Sequence, residues 1–245
     1  MPLNENVILL NIIEPITSIN YIREILFPHV ASIFKDYVQN HNGKYKDDES
    51  YQLYLKSWHV QEFKVSISDP ISPGEKMKTI INNNVRPWKM SDPRLLCCMD
   101  QYVINMWNLG YETGHIKGHI YEDVLPVLKK LTDLDKKICT YSCFKTSLQE
   151  NFFKYTDYGD VSGVFSKYFD IDMGPKDSET TYINIANEIN VNCSDILFVT
   201  NVVADAEAAS KAGCNSVLLV RPGNAPLDPE KSSKFRIIKT LDELL

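Results

Sequence analysis

Val7-Ile8-Leu9-Leu10-Asn11-Ile12-Ile13-Glu14-Pro15-Ile16-Thr17 is the stretch that decides how the rest of the chain is read. Its four opening apolar residues have the pattern of a parallel strand buried on both faces, and the polar break at Asn11 turns that strand into a loop. Open α/β sheets present their chemistry in such loops, at the carboxyl ends of the strands. Here the loop carries an amide at Asn11 and an isoleucine at Ile13, the two positions where carboxylates would make it reactive.

Three further apolar runs, Ile138 to Tyr141, Ile196 to Val199 and Ser216 to Val220, read as buried strands of the same kind. Helical periodicity fills the spaces between them, at Tyr121 to Leu134, Lys145 to Phe153, Ser178 to Ile189 and Ala204 to Ala212, with Gly213 placed as a C-terminal cap. Alternation of this kind specifies an α/β fold: a Rossmann-like, doubly wound parallel sheet. From about Tyr21 to about Gly110 the rhythm breaks. Long helical patterns, Ile22 to Val38 and Leu95 to Leu109, flank the polar tract His41 to Glu49 and the Pro-containing stretch Ser66 to Pro73, and Asn82-Asn83-Asn84 marks a loop. The segment reads as a helical insertion after the first strand.

Composition excludes several function classes. The 245 residues are 44% hydrophobic and 24% charged, enough for a large core. A net charge of −6 leaves no basic stripe for nucleic acid. The six cysteines show no CxxC spacing and several sit in apolar runs, so a reduced intracellular location is expected, cytoplasmic with the nucleus as alternative. Neither a secretion signal nor eighteen consecutive apolar residues occurs, so no membrane partner is expected.

Four loops, Asn11-Ile12-Ile13-Glu14-Pro15-Ile16, Tyr141-Ser142-Cys143, Gly174-Pro175-Lys176 and Val199-Thr200-Asn201, resemble in order and spacing the four motifs of the haloacid dehalogenase superfamily. Longer matches at Ile22 to Pro28, Gly110 to Gly118 and Val220 to Pro226 resemble its enolase-phosphatase branch in methionine salvage. The resemblance covers nearly the whole chain and is weakest from about His41 to Asn84. It implies a haloacid dehalogenase-like core at 1–20 and 111–245, with a helical cap inserted at 21–110.

The resemblance also implies magnesium-dependent hydrolysis of a phosphate monoester, 2,3-diketo-5-methylthiopentyl-1-phosphate. In the family an aspartate attacks phosphorus, and an acid two residues later protonates the leaving group and then activates water. Magnesium is held by the nucleophile and by an acid after a later strand. The family pattern Asp-Ile-Glu-Gly-Thr-Thr stands here as Asn11-Ile12-Ile13-Glu14-Pro15-Ile16, and the family Thr-Asp as Thr200-Asn201. On this reading no catalytic residue is expected at Asn11 or Ile13, and no metal at Asn11, Ile13 and Asn201. No cofactor is expected, magnesium being that of the active family. A remnant for phosphate or substrate is expected at Ser142, Cys143 and Lys176, with Glu14 and Asp205 offsetting part of the charge. Cys143 and Phe144 replace a family Ser-Gly, which places a bulky ring where small groups admit substrate.

Each residue also has a plainer reading. Lys176 could be a solvated lysine at a helix start, and Ser142 a helix cap. His115 and His119 lack acidic or Cys partners at metal spacing and read as structural. Trp88 and Trp107 read as cap core, Cys97-Cys98 as helix packing, and Cys143 as an inert thiol unless the lysine lowers its pKa. The expectation drawn is a pseudoenzyme acting as a protein-interaction or regulatory scaffold, bound to a protein partner, an active paralogue or a small anionic ligand. The alternative is a sensor or carrier of a phosphorylated small molecule, or an altered, residual phosphatase of methionine salvage.

Overall fold

The structure, a computed structural model, describes residues 3–30, 32–33, 101–222, 224 and 226–245. The expected tracts at 41–49 and 66–73, the loop at 82–84, Trp88, Cys97-Cys98 and most of the expected cap lie outside the described residues.

Six strands form one parallel sheet: β1 Val7–Leu10, β2 Lys137–Tyr141, β3 Lys167–Phe169, β4 Ile196–Thr200, β5 Asn215–Leu219 and β6 Arg236–Ile238. Their order is β3-β2-β1-β4-β5-β6, so the chain starts in the middle of the sheet and winds outward in both directions. In β1 the side chains alternate between two cores. Ile8 and Leu10 join a large cluster with Leu128, Trp107 and Phe152, whereas Val7 and Leu9 join a second with Tyr182, Ile185 and Ala209. The period of two is the strand pleat, and covering both faces is why the strand reads as an unbroken apolar run.

Helices supply those covers. The first begins at α1, Ile19–Tyr21, and continues through a π-helical stretch, Ile22–Leu26. With α2 (Gln101–Glu112), α3 (Val124–Asp133) and α4 (Thr146–Lys154) it lies over the larger core. Helices α5 (Glu179–Glu188) and α6 (Val203–Lys211) cover the other face. Gly213 has φ +95° just past α6, where a side chain would be strained, and its N–H returns to the Ser210 carbonyl as a C-terminal cap.

Two strands escape a reading by apolar runs. In β3 and β6, three residues each, only Phe169 and Ile238 are buried, so no run exists to detect. Periodicity started α3 at Tyr121, but it begins at Val124 because the Tyr121 ring stacks under Arg221 and Asp123 binds that arginine. Among the described residues Cys139, Cys143 and Cys214 are buried, and burial pushes the Cys139 thiol up to about 11. No disulfide occurs among the described residues, and no described helix is long and apolar enough to cross a membrane.

Phe198 is fully buried in β4 against the rings of Tyr141 and Tyr182. Phe198→Ala removes that packing and leaves a cavity, so it lowers unfolding free energy by about 3–5 kcal/mol, seen as a lower urea midpoint at unchanged slope.

Candidate functional site

The sheet reverses its winding between β1 and β4, and the crevice at their carboxyl ends is where an open α/β sheet binds ligands. Parallel pairing sets Leu10 opposite both Thr140 and Val199, so the residues after β1, β2 and β4 emerge at one edge. The Asn11 N–H is anchored to the Val199 carbonyl at 2.9 Å. Its side chain accepts from Lys176 Nζ at 2.8 Å and donates through Nδ2 to the Ile13 carbonyl and to Asn201 Oδ1, both at 3.3 Å. The amide orientation is forced: an ammonium only donates and a carbonyl only accepts, so Asn11 turns Oδ1 to Lys176 and Nδ2 to Ile13.

Lys176 is buried, and its Nζ lies 3.5 Å from Asp205 Oδ2 and 5.3 Å from the centre of the Tyr141 ring. Tyr182 donates its hydroxyl proton to the Lys176 carbonyl, and Tyr141 donates to the Gly174 carbonyl, both at 2.8 Å. Gly174 has φ +132°, and a Cβ there would fall 2.4 Å from Thr181 Oγ1, so this turn into α5 requires glycine. Asp205 Oδ2 has no hydrogen bond. Burial pushes the Asp205 carboxyl above the usual carboxylate range, with Lys176 pulling the other way.

Asn11, Ile13 (through its carbonyl), Asn201, Lys176 and Asp205 therefore share one cluster. Ser142 and Cys143 stand beside it at the end of β2, both buried. The Ser142 hydroxyl accepts from the Phe144 N–H at 3.2 Å. Phe144 turns into the large core, 6.0 Å from the Trp107 ring and 6.5 Å from Phe152. The Ile13 side chain packs in the same core.

The loop after β1 has its own supports. Glu14 has φ +78°, unusual for a residue with a Cβ. Its carboxylate accepts from the Ile19 N–H at 3.0 Å, capping the first helix. Arg221 donates to the Glu14 carbonyl at 3.3 Å, the Pro15 carbonyl at 3.0 Å and the Asp123 carboxylate at 2.9 Å, over the face of Tyr121. Asp123 also accepts from the Leu241 N–H. His119 Nδ1 sits 3.0 Å from Thr17 Oγ1 and accepts from the Ser18 N–H at 3.5 Å, which requires a neutral ring.

Comparison with known proteins decides the family. Over 100% of this chain and 99% of its own length, Enolase-phosphatase E1 of Acyrthosiphon pisum is 59% identical. Enolase-phosphatase E1 of Xenopus tropicalis is 34% identical over 97% of this chain and 93% of its own. The chain belongs to the enolase-phosphatase E1 family. No protein-family model matches. Among solved structures, the UTR4 protein of Saccharomyces cerevisiae is similar at TM-score 0.67 and 26% identity, covering 97% of this chain and 98% of that one. CbbY of Rhodobacter sphaeroides in complex with phosphate, at TM-score 0.60 and 13% identity over 98% and 96% of the chains, shares the fold.

Membership of the enolase-phosphatase family corrects the expected scaffold. A full-length relative at 59% identity carries the name of the enzyme, and of the alternatives, a sensor or carrier of a phosphorylated small molecule or an altered, residual phosphatase, that supports the phosphatase over a protein-interaction pseudoenzyme. The site offers the physical reason. Replacing a buried ion pair by apolar groups is often neutral or stabilising, yet this crevice retains Lys176, Asp205 and two amides. Magnesium, the family's metal, does not fit these donors. The Asn11 oxygen is taken by Lys176, Asp205 is paired with the same lysine, and among the described residues no cluster of three His, Cys, Asp or Glu is placed to hold a metal ion.

Arg221 lies in the motif Val220 to Pro226, but its role as a clamp is not legible in the sequence, because its partners Glu14, Pro15 and Asp123 are remote along the chain. Tyr141 and Tyr182 were missed as supports of Lys176 because each looks like an ordinary strand or helix core residue.

Arg221→Leu strips this buried clamp from Asp123 and from two carbonyls, and lowers unfolding free energy by roughly 3–5 kcal/mol in chemical denaturation. His119 gives a pH signature. Burial holds its pKa below the ordinary histidine value, so the unfolded chain binds the proton more tightly. Its contribution is complete above about pH 6.5 and is lost as pH falls toward the folded value. Denaturation midpoints fall between pH 7 and pH 5, and His119→Asn flattens that slope.

Proposed function

We propose that the chain acts on a phosphorylated small molecule of methionine salvage, as an altered phosphatase of the enolase-phosphatase family. The observation that carries this reading is the buried Lys176, held at the switch point by the neutral Asn11 and by Asp205. Incoming phosphoryl oxygens can replace Asn11 Oδ1 as acceptors and meet a charge-assisted donor. Asn11, Lys176 and Asp205 are all buried, and distance from bulk water strengthens the attraction.

The attacking group must differ from the family's aspartate, since a neutral amide oxygen is a far weaker nucleophile than a carboxylate and Asn11 turns its own toward Lys176. Water is the nucleophile that remains. Its oxygen forms the new bond to phosphorus as the ester P–O bond breaks, and we assign to Asp205, its carboxyl raised by burial and its Oδ2 3.5 Å from Lys176 Nζ, the proton that leaves the water and returns to the departing oxygen. Enzymes stripped of a nucleophilic unit retain on the order of 10³-fold catalysis over water through binding and electrostatics. A carrier that binds without turnover is the second reading, favoured by the amide at Asn11 and the apolar side chain at Ile13.

Phosphate release from small phosphomonoesters, including the family's diketo substrate, separates the two. The altered phosphatase gives slow turnover that Lys176→Ala and Asp205→Asn each reduce at least about tenfold. Saturable binding with no phosphate release above a heat-denatured control favours the carrier, and absence of both binding and turnover contradicts the proposal.

A further inference from the structure

We infer that the Asn11 amide takes the place of the divalent cation, so that this site works without one. The three positions where the family resemblance locates metal ligands are Asn11, Ile13 and Asn201, and here they converge on a hydrogen-bond donor. Asn11 Nδ2 lies 3.3 Å from the Ile13 carbonyl oxygen and 3.3 Å from Asn201 Oδ1. Those two oxygens, turned toward one point between the ends of β1 and β4, are what a hard cation would use. The point is filled by an NH2 group whose two hydrogens satisfy both.

Rotating the amide to expose an oxygen there is blocked from the other side. Lys176 Nζ, 2.8 Å from Oδ1, would then face the NH2 group, donor against donor. Two buried donors would lose their acceptor together, the costly case for buried polar groups. Asn201 is committed likewise, because it presents Oδ1 and not its own NH2 to Asn11. Lys176 thereby becomes the only cation among the described residues of the cluster. It is only partly neutralised by Asp205, whose carboxyl is pushed toward its protonated form by burial. Anion binding here draws on the lysine alone, and no metal has to be recruited first.

Magnesium binding tests this directly and without any substrate, so failure of the phosphatase reading leaves the test standing. Melting temperature is followed as MgCl2 is raised to 10 mM, with NaCl balancing ionic strength. Wild type shows no magnesium-specific shift. Asn11→Asp converts the donor into a carboxylate facing the same two oxygens and gains a saturable rise of about 3 °C or more. Asn201→Asp adds the same charge next to the site but keeps the Asn11 donor, and shows no rise. A magnesium-specific shift in wild type or in Asn201→Asp overturns the proposal, as does a folded Asn11→Asp with none. Should Asn11→Asp fail to fold, Asn201→Asp carries the decision, because there the donor and added charge make opposite demands.

Discussion

A buried lysine has to be met by acceptors, and in this protein that requirement organises the crevice. Lys176 is carried to the edge of the sheet by the turn into α5 and held there by the Tyr182 hydroxyl on its carbonyl. Its ammonium leaves water for the Asn11 oxygen and the Asp205 carboxylate. From that bond the orientation of Asn11 follows, and from Asn11 that of Asn201, because each partner's remaining face can only donate or only accept. Three loops from separate parts of the sequence are thereby tied into one small polar cluster between apolar layers. The same chain of bonds explains why the loop after β1 must keep its shape.

That shape is bought with local strain. Glu14 occupies a backbone conformation natural to glycine, the residue the family pattern has there. A cost of about 1–3 kcal/mol is usual for such a residue. Arg221 binds the two carbonyls of the strained corner, and the Glu14 carboxylate caps the helix that follows. His119 closes the far end of the loop through Thr17 and Ser18. The clamp, the cap and the histidine converge from β5, α1 and the segment before α3, which places the support of the site in parts of the chain that bear no chemistry.

The sheet was legible because burial on both faces writes itself as apolar runs, and β1, β2, β4 and β5 were read within a residue or so of their observed ends. β3 and β6 were not, since three residues with one buried side chain each leave no pattern. Motif order and spacing singled out Asn11, Asn201, Lys176 and Asp205, and the structure brings the four into one cluster. The direction of the Asn11 amide was not legible, because it depends on which neighbours can donate. Phe144 was expected to crowd the substrate pocket, whereas its ring belongs to the core with Trp107 and Phe152. An apolar side chain after a strand end can turn either way, and only the packing of α2 and α4 decides which. The scaffold reading rested on the missing acids and on the apolar bulk of Phe144 and Ile13, and the full-length relatives weigh against it.

The central claim is that Lys176, without a metal, provides the anion-binding charge of this site. Calorimetric titration of inorganic phosphate into wild type and Lys176→Ala, both in excess EDTA, tests it most directly. The account predicts weak, saturable, salt-sensitive binding in wild type and a loss of at least about tenfold in the variant, the scale of one charge-assisted hydrogen bond. Indistinguishable isotherms for the two proteins, or binding in wild type that appears only when magnesium is restored, would contradict it.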